Sequence, residues 1–91
     1  MLLRDFYQKC IDLGKENDPR GPQKVERVLA LAKKEYEALK DEVKQYYDTE
    51  KLTNPYADTR ILHGDPETKI QRIFVGIDME TSEILLADRL R

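Results

Sequence analysis

The chain has 91 residues, 16 of them basic and 18 acidic, with one cysteine and one histidine. That length bounds it to a single domain, and one cysteine excludes an intrachain disulfide framework. The charges alternate in sign along the chain, which argues against a nucleic-acid arm built on clustered Lys and Arg.

A lone thiol fits a reducing compartment, so cytoplasm is the expected location. The longest apolar runs fall far short of the roughly 20 residues needed to span a bilayer, and no secretory h-region is visible. A domain of this size buries only about 60–65% of its unfolded surface, so partners commonly contribute to its stability.

Leu3, Phe6, Tyr7, Cys10, Ile11 and Leu13 recur at helical spacing, predicting a helix over 2–13 that ends at Gly14. Lys15 to Gly21 is rich in turn-forming combinations and reads as a loop. Pro22 suits a first helical position. Apolar residues from Val25 through Val28, Leu29, Ala32, Tyr36, Leu39, Val43, Tyr46 and Tyr47 then keep to one face. This stripe over 22–47 is one helix or two, with the break placed near Lys40 and Asp41.

After Leu52 the periodicity is lost. Ile61 and Leu62 read as a short strand, His63 to Thr68 as a turn, and 69–77 as a second strand rich in β-branched and aromatic residues. The short connection predicts an antiparallel hairpin. A last helix is expected over 82–91, started by Asp78, Thr81 or Ser82. The fold expected is therefore α/β, or α+β as an isolated piece: N-terminal helices, a β-hairpin and a helix. A strand followed by a helix normally returns into a parallel strand, so the chain reads as an incomplete portion of a larger α/β domain.

Cys10 and His63 cannot supply the three or four ligands that a zinc site requires. His63 reads as a turn residue and Cys10 as a buried thiol on an apolar face. Asp78 and Glu80 follow the C-terminal end of the expected strand, where open α/β sheets place ligands. Helix capping is the plainer role for both. No phosphate-cradling loop or dinucleotide fingerprint is present.

Asn54-Pro55-Tyr56-Ala57-Asp58-Thr59-Arg60-Ile61-Leu62-His63-Gly64-Asp65-Pro66, followed by Arg72 to Asp78 and a helix, resembles the N-terminal portion of the NIF-three-like family, also described as type 2 GTP cyclohydrolase I. Gly64, Asp65, Pro66 and Asp78 match that family's order of parts directly. Tyr56 to Arg60 stands where the family has a Trp-Asp-Asn segment. The resemblance implies a metal-dependent hydrolase that holds two divalent metal ions in a cleft and forms a toroidal homo-oligomer, acting on a small molecule that it does not specify. The paired histidines and later ligands would fall after Arg91, so these residues are expected to supply no metal ligand and no catalytic group. Their expected contribution is scaffold and one wall of the cleft, through Asp58, Arg60, Asp78 and Glu80. The rival reading is a non-catalytic helical interaction or oligomerisation module, with the Val25 to Tyr47 stripe as its face.

Overall fold

Helix α1 (Leu3–Glu16) carries its apolar residues at three- and four-residue spacing, and it does not stop at Gly14. Asn17 closes it instead, with the main-chain N–H and the side-chain amide both donating to the Leu13 carbonyl. Gly14 serves a different need. A Cβ there would fall 3.0 Å from the Tyr56 ring, so the missing side chain lets Tyr56 lie against the helix. Helix α2 (Pro22–Ala38) starts with Pro22 in its first turn behind Gly21, whose φ of 84° is open to glycine at no steric cost. It ends where Leu39 turns to extended backbone. A short helix α3 (Asp41–Lys44) follows, and then a 3₁₀ turn (Thr49–Leu52) in which the Glu50 N–H donates to the Asp48 carboxylate. Helix α4 (Thr81–Leu90) begins behind Glu80, whose N–H donates to the Glu83 carboxylate at 3.0 Å.

The computed structural model describes residues 1–91. It is 54% helix and 2% strand, which overturns the α/β expectation: no sheet and no hairpin is present. The reason lies in where the turn residues send the chain. Asp65 accepts from the N–H groups of Glu67 and Thr68, through its side chain and main chain respectively, and closes the turn on itself. Lys69 then forms an isolated antiparallel bridge with Leu2, not with Ile61 or Leu62. Three main-chain bonds, from Leu3 to Thr68, Arg4 to Pro66 and Ile70 to Met1, fasten this clasp. An Arg4–Glu67 ion pair lies alongside. Leu62 is exposed, and 71–79 run without regular structure.

Ile11 on α1 and Val25 and Ala32 on α2 are the buried apolar side chains, so the core sits where these two helices meet. Tyr47 folds back over α2. Its ring centroid lies 5.4 Å from that of Tyr36, and its hydroxyl donates to the Ala32 carbonyl at 3.2 Å. Tyr46 points outward. The radius of gyration is 16.4 Å, against about 12 Å for a compact domain of this length. The accessible surface is 7949 Å², against about 5500 Å². Residues 71–91 contribute to both departures, since α4 has no buried residue, and Leu13, Leu31, Val43 and Leu62 of the first 70 residues are exposed as well.

Candidate functional site

The densest polar arrangement lies where α1, the 3₁₀ turn and the loop after it converge. Asp48 and Glu50 stand at the start of the turn because capping places them there. Arg60 reaches both from the loop, donating to Glu50 Oε2 at 2.7 Å and lying 3.0 Å from Asp48 Oδ2. Its side chain is only 15% exposed. From α1, the Tyr7 hydroxyl donates to Glu50 Oε2 at 2.8 Å and accepts from Asn54 Nδ2 at 2.9 Å. Asn54, 2% exposed, also donates to the Thr59 carbonyl at 2.7 Å and accepts from the Tyr56 N–H at 2.8 Å. Every buried polar side-chain atom is thereby satisfied.

The electrostatics of this knot follow from its packing. Burial raises the Tyr7 hydroxyl above the usual phenol range, and the Glu50 carboxylate beside it adds to the rise. Burial works against the Arg60 charge, but Glu50 and Asp48 more than offset it and hold the guanidinium protonated. A cavity of about 220 Å³ opens beside the knot, lined by Val28, Leu31, Ala32, Asn54, Pro55 and Arg60 among others. Its walls are mainly apolar; Asn54 and Arg60 are engaged in the knot, while the charged side chains of Glu35 and Lys51 also line it and make no hydrogen bond or ion pair within the chain. The knot fixes the loop to α1 and the 3₁₀ turn, with its own polar groups paired.

A second lock holds the loop after α1. Arg20 grips Asp18 with a fork, Nη2 to Oδ2 at 2.9 Å and Nε to Oδ1 at 3.1 Å, and its N–H adds a third bond. The Tyr56 hydroxyl donates to the same carboxylate at 2.9 Å. The Asp18 side chain is 5% exposed. The Arg20 guanidinium, followed by the Arg20 main-chain N–H, holds its carboxyl well below the usual carboxylate range. A carboxyl depressed in the folded state stabilises the fold above its unfolded value near 3.9, and that contribution is lost as pH falls through the folded value. The Tyr56 ring resonances are therefore expected to stay constant from pH 7 down through the ordinary carboxylate range of about 4 and to move only well below it. In Asp18→Asn they should already differ at pH 7, where unchanged Tyr56 resonances would show that the lock holds nothing.

Of the four residues expected to wall a cleft, Arg60 lies in the knot and Glu80 caps α4. Asp58 is exposed, as is Asp78 in the stretch before α4. No hydrogen bond or ion pair joins any two of them. His63 is exposed and Cys10 half-buried. No three His, Cys, Asp or Glu side chains gather where a metal ion would sit, and no helix is long and apolar enough to cross a membrane. Sequence reasoning missed Tyr7, Asp48, Glu50 and Asn54. Only the Asp48 cap had a local signal, an Asp two residues before its N–H partner. Comparison with family models, curated proteins and solved structures gives no match.

Proposed function

We propose that this chain is a scaffold portion of a NIF-three-like dinuclear-metal protein, contributing assembly contacts and neither metal ligands nor catalytic groups. The observation that carries this reading is the surface of residues 70–90. Ile73, Val75, Ile77, Ile84, Leu85 and Leu90 are all exposed there, immediately after the segment that resembles the family. A run of exposed apolar side chains along one segment favours contact with another polypeptide. The reading does not depend on the hairpin, because the matched order of Gly64, Asp65, Pro66 and Asp78 is one of sequence.

Elemental analysis after dialysis tests it. The 91-residue chain is expected to hold no stoichiometric divalent metal, and His63→Ala to change nothing. A polypeptide continuing through paired histidines beyond Arg91 should gain about two ions per chain, as a two-metal site requires. Stoichiometric metal in the 91-residue chain that disappears in His63→Ala would defeat the reading. The second reading, a non-catalytic helical oligomerisation module with the Val25 to Tyr47 stripe as its face, draws on exposed Val28 and Val43 and on Tyr46 just after α3, while Val25 and Ala32 of that stripe are buried within the chain. A stop codon directly after Arg91 in the encoding DNA favours it over the first.

A further inference from the structure

From Gln71 to Met79 no main-chain N–H or C=O bonds to another main-chain group. Such a stretch in water is ordinary for a loop, but this one has the composition of a strand: Ile73, Phe74, Val75 and Ile77 are β-branched or aromatic. Val75 is 84% exposed and Ile77 fully so. A segment with free main-chain groups and apolar side chains is a template for pairing with another strand, and pairing would straighten the bend now at Ile77 and Asp78.

The order of side chains identifies the partner. Around Val75 the segment is self-complementary: Phe74 and Gly76 flank it, then Ile73 and Ile77, then Arg72 and Asp78. We infer that two copies of this chain pair through residues 71–79 as antiparallel strands, with Val75 of each opposite Val75 of the other. This inference goes beyond the family reading and does not rest on it.

In that register the two-fold axis sets Arg72 of each copy against Asp78 of the other. Like charges directly opposite destabilise a pair and unlike charges stabilise it. Asp78 has no ion-pair partner within the chain. Arg72 spends only Nη1, on the Leu90 carbonyl at 3.1 Å, and keeps its other nitrogens for Asp78. Phe74 lies opposite Gly76, where its aromatic ring would take the place that the Met79 thioether holds in the single chain. Shifting the register by one residue would lose all these matches. Ile73, Val75 and Ile77 from both copies share the other face, and the exposed apolar residues of α4 lie next along the chain to cover it.

Charge exchange tests the register. Sedimentation velocity at micromolar concentration is expected to give a dimer for the unaltered chain, weakening as salt rises. Arg72→Asp and Asp78→Arg should each raise the dissociation constant at least tenfold, since each sets two like-charged pairs across the axis. An equimolar mixture of the two variants should dimerise again, because every Arg72–Asp78 position then carries opposite charges. Both positions are exposed, so neither variant threatens the fold. An unaltered chain that remains monomeric would overturn the inference. So would single variants that dimerise normally, or a mixture that fails to recover, which would mean another surface or register.

Discussion

Asn54→Ala is expected to lower the unfolding free energy by about 3 kcal/mol, measured by urea denaturation followed by helical circular dichroism. Three hydrogen bonds converge on this buried amide: one reaches Tyr7 on α1, and two hold the loop itself at Tyr56 and Thr59. Truncation leaves the Tyr56 N–H without its acceptor and the Thr59 carbonyl without its donor. Groups stranded in this way cost more than the net value of the bonds they lose. Small domains are stable by about 0.05–0.15 kcal/mol per residue, so the loss would be a large part of the total. Asn54→Asp makes a useful companion, since it keeps the acceptor for Tyr56 but removes both donors and sets a second carboxylate near Glu50. It should also destabilise. A loss below about 0.5 kcal/mol in Asn54→Ala, the size of an ordinary surface substitution, would show that the knot is incidental.

Ile11→Ala should cost about 2–4 kcal/mol in the same measurement, the range for emptying a closed apolar site. Ile11 is the most buried large side chain, 2% exposed, and it faces α2 where Val25 and Ala32 are also buried. With so few buried apolar side chains, no neighbour stands ready to fill the space. Leu13, two residues on and exposed, gives the control: Leu13→Ala should stay within about 0.5 kcal/mol. Equal losses at both positions would mean that α1 and α2 do not share a core.

The parts of the fold legible in the sequence are those decided locally. The spacing from Leu3 to Leu13 and from Val25 to Tyr36 identifies helix faces because the helix brings i, i+3 and i+4 together whatever else the chain does. Pro22 after Gly21 marks a start for the same reason. Strand-like composition at Ile73 to Ile77 has no such guarantee, since a strand exists only through a partner. Lys69 bonds next to Leu2, a pairing that turn length cannot foresee. The knot was hidden likewise. Tyr7 meets Glu50 and Asn54 across more than forty residues, and nothing around Tyr7 distinguishes it from any half-buried tyrosine on a helix. Arg60 was singled out for a cleft and found in an ion pair, because an Arg in a loop reads the same in either role.

The bridge between residues 1–4 and 66–70 also orders events in time. Bringing those segments together closes a loop of more than sixty residues, at an entropic cost of about 4 kcal/mol for an unstructured chain. Three main-chain bonds, each contributing roughly 1 kcal/mol, do not exceed that cost by themselves. Docking of α1 on α2 and then of the 49–60 loop on α1 shortens the distance left to close, so the clasp forms after the knot. Local opening reverses the sequence: the N-terminal residues and the 66–70 strip separate first, while the two-helix core and its polar knot stay intact.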